Sequence, residues 1–205
     1  LKGLDDASAT PALQEQLQRM DDIVNYQLKR AISAVPQVSG QGAVLLDMYT
    51  RMVAVLGKVY AERSIEFVQD IRPGLRMPWD EGDTLEVLGN LMDNACKYGG
   101  SMVRVTGRIL AGQIRVTVED DGPGIPPEHR DSVFDPFSRL TNVEGTGLGL
   151  AFVQKTVTAW GGEVRLRAAA NHGCVFSVSV PASVGTVVRH ILADASFCPM
   201  QSRAG

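Results

Sequence analysis

The sequence predicts an α+β fold, a two-layer α/β sandwich in which a mixed sheet is backed by helices on one face, and three observations lead to it. Alternating apolar and polar residues over 102–110 and 113–119 read as consecutive strands. Residues 163–168 and 174–180 repeat that pattern as a closing hairpin, ended by Pro181. Apolar positions at helical spacing over about 47–61, 83–98 and 148–160 supply helices, which need a sheet to cover.

From the start of the chain, Leu13, Leu17, Met20, Val24 and Leu28 recur at spacings of three and four. They predict a helix with one apolar seam, stopped by Pro36, that serves either to dimerise or to pack on its own domain. A Val/Ser/Gly-rich linker over 35–42 follows, then the helix 47–61, a strand at 64–69, an edge segment near Arg76 and the helix 83–98. The expected division is 1–36, 37–183 and 184–205. In the last segment the apolar stretch 187–192 reads either as a short docking helix or as part of a disordered tail.

With 205 residues, 44% hydrophobic and 21% charged, the chain is long enough for one well-packed domain with appendages. A net charge of −3 without a basic tract argues against a nucleic-acid partner. The longest apolar candidate for a membrane span, 44–60, is broken by Asp47, Arg51 and Lys58. Cys96, Cys174 and Cys198 are scattered and odd in number, which excludes a disulfide framework or C-x-x-C metal site and fits a reducing cytoplasm. Cys96 reads as a small buried filler.

Chemistry concentrates in three segments. Over 86–98, helical period places Glu86, Asn90, Asn94 and Lys97 on one face and Leu85, Leu88, Met92 and Ala95 on the inward one. A carboxamide oxygen can ligate a hard cation and a lysine can meet the phosphates it bridges, although taken alone the face reads equally as solvated. Over 118–126 an acidic strand end runs into Gly122-Pro-Gly124. A carboxylate there could accept from a purine amine while glycine lets the backbone approach the ring, and the same residues also make an ordinary turn. Over 144–150, Gly145, Gly147 and Gly149 open a helix, where free amides and the dipole can receive phosphate. This is neither a dinucleotide fingerprint nor a Walker A loop.

Together with Phe134-Asp-Pro-Phe137-Ser-Arg139, these segments stand in the order of the N, G1, F and G2 boxes. The chain over about 40–182 thereby resembles sensor histidine kinases, within the GHKL superfamily that also holds gyrase B, MutL and the heat-shock chaperone ATPases. The wording of 86–98 and 118–126 is most similar to the PhoQ-type kinases. The resemblance implies the Bergerat ATP-binding fold, with ATP and Mg2+ as cofactors. It makes Asn94 the magnesium ligand, supported by Asn90, puts Lys97 on phosphate and lays Tyr98 against adenine. It also makes Asp120 the acceptor for the adenine amine in a pocket shaped by Gly122, Gly124 and Ile125. Gly145, Thr146, Gly147, Leu148 and Gly149 would form the lid hinge beside the phosphates. Asn90, Lys97 and Arg139 would act in transfer, Arg139 being the only basic residue between Arg130 and Lys155.

One departure bears on mechanism. Where the resembling ATPases carry a water-activating glutamate one helical turn before the metal asparagine, this chain carries Asn90, and a carboxamide is not a useful general base. Glu86 lies a further turn away and reads as a helix-start residue, paired with an Asp83 cap. By the resemblance, residues 1–36 would be the second helix of a dimerising hairpin. The acceptor histidine would stand on the first helix, since none of His129, His172 and His190 has the His-Asp/Glu-Leu-x-x-Pro context. The expectation is therefore the C-terminal part of a longer, homodimeric kinase, the cytoplasmic portion of a membrane-anchored sensor. Its partners would be its own histidine-bearing hairpin and a response-regulator receiver domain.

Overall fold

The computed structural model describes residues 42–140 and 147–182. Among these residues three α-helices, α1 (Leu45–Val59), α2 (Glu81–Tyr98) and α3 (Gly149–Ala159), accompany seven strands. The strands are β1 (Ala43–Val44), β2 (Glu66–Ile71), β3 (Arg76–Met77), β4 (Met102–Leu110), β5 (Gln113–Asp120), β6 (Glu163–Ala168) and β7 (Cys174–Pro181). Five of them form a sheet in the order β2-β4-β5-β7-β6. Only β2 and β4 run parallel, with Phe67 beside Val103 and Ile71 beside Gly107. A parallel pair requires a crossover, and α2 lies within it.

Period-two patterning decides the layers. Val105 pairs with Val118, and Ile114, Val116 and Val118 pair with Val180, Val178 and Phe176, so one face is continuously apolar and buried. α1 contributes Leu45, Met48, Tyr49 and Leu56 to the same core. α2 contributes Val87, Leu88, Leu91, Met92, Ala95 and Cys96, while Leu85 is only half-buried. Burying each large apolar side chain contributes about 1.5–3 kcal/mol, which fixes the helices on this face. The opposite face is polar: the Thr106 and Thr117 hydroxyls are 2.6 Å apart, and Arg108 pairs with Asp70.

The expected two-layer sandwich with a mixed sheet is the fold observed; α1 starts and ends two residues earlier and β2 two residues later than expected, and three further details differ. The segment near Arg76 does not edge the main sheet; β3 pairs with β1 in a separate ribbon that starts where the expected linker ends. α2 begins at Glu81, because the Asp80 carboxylate accepts from the Asp83 amide at 2.8 Å. Asp80 is therefore the cap, and Asp83 sits in the first turn near the positive end of the dipole. β5 extends one residue further than expected, so Asp120 belongs to the strand. The expected helix in 12–33, the tail 184–205, His190, Cys198, Gly145 and Thr146 lie outside the described residues. Among the described residues no helix is long and apolar enough to cross a membrane.

Candidate functional site

Strand alternation turns Asp120 to the buried face of β5, where it is 6% exposed. Its Oδ1 accepts from the amides of Gly122 at 3.0 Å and Cys174 at 3.3 Å. Burial pushes the carboxyl above its ordinary value, and those two amide bonds oppose the rise. The chain approaches Asp120 closely on several sides. A Cβ on Gly173 would lie 2.0 Å from the Asp120 carbonyl oxygen, and one on Gly122 would lie 2.4 Å from the Tyr98 carbonyl oxygen. Only glycine fits at either position, Gly173 also having φ +97°.

Tyr98, the last residue of α2, leaves 40% of its surface exposed, and its carbonyl lies against Gly122. One and two turns back, Asn94 and Asn90 are half-buried on the same helix. The Asn90 amide nitrogen donates to the Glu86 carbonyl at 2.8 Å, and its oxygen lies against the first residue of α3. Lys97 pairs with Asp93 at 2.5 Å, and Tyr60 donates its hydroxyl to the other Asp93 oxygen at 2.7 Å. Burial, followed by that bond, raises the Tyr60 hydroxyl well above its ordinary value, so it stays a donor.

The loop after β5 is pinned by Arg130, whose Nε donates to the Ile125 carbonyl at 3.0 Å. Val133 and Phe134 then enter the core, with the Phe134 ring edge-on to Phe176. Phe137 donates its amide to the Gly147 carbonyl at 3.0 Å, joining the two described ends of the intervening segment. Gly147 has φ +72°, and a Cβ there would lie 2.8 Å from the Phe137 carbonyl carbon. Leu148 caps α3 without a side-chain hydrogen bond. Arg139 is exposed beyond Phe137. Burial pushes the Cys96 thiol up to about 12 and the Cys174 thiol up to about 11, as inert packing groups require.

The structure thus joins Asp120, Gly122 and Tyr98 in one contact region and Asn90 to Gly149 in another, both on the flank of α2. The histidine kinase-, DNA gyrase B- and HSP90-like ATPase family matches residues 79–184, which contain all of these groups. The chain belongs to that family. The sensor protein kinase CarS of Pseudomonas aeruginosa is 46% identical over 110 residues, 53% of this chain and 25% of that protein. The virulence sensor histidine kinase PhoQ of Salmonella typhimurium is 31% identical over 166 residues, 77% of this chain and 33% of that protein. The solved mycobacterial sensor histidine kinase MprB has a TM-score of 0.60 at 29% identity, covering 68% of this chain and 95% of that one. The chain therefore spans a quarter of CarS and a third of PhoQ. The fold is that of the ATP-binding catalytic domain of sensor histidine kinases.

The residues fit ATP. Both amides on Asp120 use Oδ1, so an adenine amine would meet Oδ2. Several contributors were not legible as site residues. Gly173 reads only as part of a hairpin turn and Cys174 as one of three scattered cysteines, although the bond to Asp120 spans 54 positions. Tyr60 and Asp93 carried no motif. Their one sequence signal is the i,i+4 spacing of Asp93 and Lys97.

Proposed function

We propose that this chain supplies the kinase chemistry of a two-component sensor: it binds Mg-ATP between β5, α2 and the start of α3 and delivers the γ-phosphoryl group to a histidine nitrogen on a dimerising hairpin. The bond from the γ-phosphorus to the β–γ bridging oxygen breaks, a phosphorus–nitrogen bond forms, and ADP departs. The phosphoryl group then passes to an aspartate of a response-regulator receiver domain.

The observation that carries this reading is Asn90. It stands one turn before Asn94 with its amide nitrogen donated back to the helix, so no proton acceptor for water occupies that position. A site that holds ATP without activating water suits a nucleophile delivered from elsewhere. Asp120 and Tyr98 orient the adenine, and Lys97, released from Asp93, and Arg139 meet the phosphates. Magnesium, a hard cation that takes oxygen ligands, would fit the Asn94 carboxamide. The Asn94 oxygen, with Asn90 in support, would hold the ion together with phosphate and water. When bound it neutralises charge on the phosphates.

Residues 37–183 would form the catalytic domain, 1–36 the second hairpin helix and 184–205 a tail. The whole kinase would be a homodimer with this domain on the cytoplasmic side of a membrane-anchored sensor. The test mixes the chain with the histidine-bearing hairpin from its own gene and γ-labelled Mg-ATP. Acid-labile label on the hairpin is the expected result. Label released as phosphate at enzymatic rates would instead make it an ATPase, and label left in ATP a nucleotide-binding regulatory module.

A further inference from the structure

Between Tyr98 and β4 the chain turns through Gly99, Gly100 and Ser101, and this turn is gripped from two sides. The Asp121 carboxylate accepts from the amides of Gly100 at 3.0 Å, Ser101 at 2.9 Å and Met102 at 2.9 Å, and from the Ser101 hydroxyl at 3.0 Å. From the other side the Arg63 guanidinium donates to the carbonyls of Cys96 at 2.5 Å, Lys97 at 2.9 Å and Gly99 at 2.8 Å. An anion on successive amides and a cation on the carbonyls that end α2 each match the charge of what they touch. Burial opposes the ionised form of Asp121, but the Met102 and Ser101 hydrogen bonds outweigh it and hold the carboxyl at about 2, so it is charged throughout the working range.

We infer that Asp121 and Arg63 are positioning residues that set the distance between the adenine acceptor Asp120 and the phosphate-facing residues Asn94 and Lys97. Asp121 follows Asp120 directly in the chain, and the residues it grips follow α2 directly. Any slip of this turn therefore moves the two halves of the nucleotide site relative to each other. Close contact leaves no slack: a Cβ on Gly99 would lie 3.1 Å from the Asp120 Cβ, and one on Gly122 would lie 2.9 Å from the Gly99 Cα. The inference rests on the nucleotide reading of the site. It differs from a purely structural role because spacing matters only to a ligand that engages both halves.

The test compares adenosine, which reaches the adenine half alone, with Mg-ADP, which spans both, by titration of the full chain and of Asp121→Asn and Arg63→Gln. Both variants are expected to bind adenosine within about twofold of wild type and Mg-ADP about tenfold more weakly, the size of a lost geometric match. Asp121→Asn puts an NH2 donor where Oδ2 accepts from the Ser101 amide and hydroxyl, so should it fail to fold, Arg63→Gln at an exposed site carries the comparison. Mg-ADP binding at the wild-type level, or equal loss of both ligands, would overturn the inference while leaving the nucleotide site in place. Wild-type protein that binds neither ligand would overturn the nucleotide reading and the inference with it.

Discussion

Asp120 is tied by amides from residues 122 and 174, and its neighbour Asp121 by amides from 100, 101 and 102, so the adenine end draws on three separated parts of the chain. At the phosphate end the described contacts are of another kind: Phe137 bonds to Gly147, Gly149 packs on Asn90, and Lys97 pairs with Asp93. The adenine end is thus built like a core, with every approach filled, and the phosphate end like a junction between two elements. Such a division suits a site that must keep hold of adenine while the phosphates are exposed to a second reactant.

The largest effect that would break this contrast is at Asp120. In Asp120→Asn the amide oxygen can keep the Gly122 and Cys174 amides, which share one oxygen, and the NH2 then stands where the adenine amine needs an acceptor, so Mg-ATP affinity should fall by about a hundredfold. Calorimetry at constant magnesium would read it, and a loss below tenfold would show that adenine is held elsewhere. Next in size is Gly147→Ala. A side chain at φ +72° that also meets Phe137 costs about 1–2 kcal/mol. It should weaken Mg-ATP by about tenfold and leave adenosine alone. Equal weakening of the two ligands would mean that the ends are not separable.

The sequence read well where one physical signal acts locally. Strands β4 and β6 fall at the expected residues because alternation alone sets them, and Asp120 stands out because a carboxylate ends an alternating strand just before Gly-Pro-Gly. The start of α2 was displaced because Asp80 and Asp83 are both competent caps, and only the geometry shows which one accepts. The β1–β3 ribbon has two residues per strand, too few to show a period. The grips on the site were illegible for another reason. Arg63 lies 33 to 36 positions from the carbonyls it binds, and no local pattern encodes such a pairing.

A smaller effect sharpens the phosphate end. A Cβ on Gly149 would lie 2.7 Å from the Asn90 amide oxygen, so Gly149→Ala should cost about 1–3 kcal/mol by crowding. Asn90→Ala removes the atom that is met. The double variant should therefore be more stable than the sum of the singles by about 1 kcal/mol in thermal melts. Additivity within a few tenths would show that α3 can shift away from α2, and the contact would no longer distinguish this end.

The smallest effect is a titration in which two adjacent aspartates act with opposite sign. Asp121 is lowered from the ordinary carboxyl value of 3.8 to about 2, so the stability it contributes is present above about pH 4 and is lost as pH falls through 2. Asp120 is raised, chiefly by burial, so its contribution is fully present below the ordinary carboxyl value and is lost as pH rises through its folded value. In melts stepped from acid to neutral pH, the gap between wild type and Asp121→Asn should shrink on acidification. Over the same steps wild type should lose ground to Asp120→Asn as pH rises. A wild-type–Asp121→Asn gap that does not change between pH 4 and 2 would mean that the carboxylate's hydrogen bonds do not outlast its desolvation, and the adenine end would lose one of the braces that set it apart from the phosphate end.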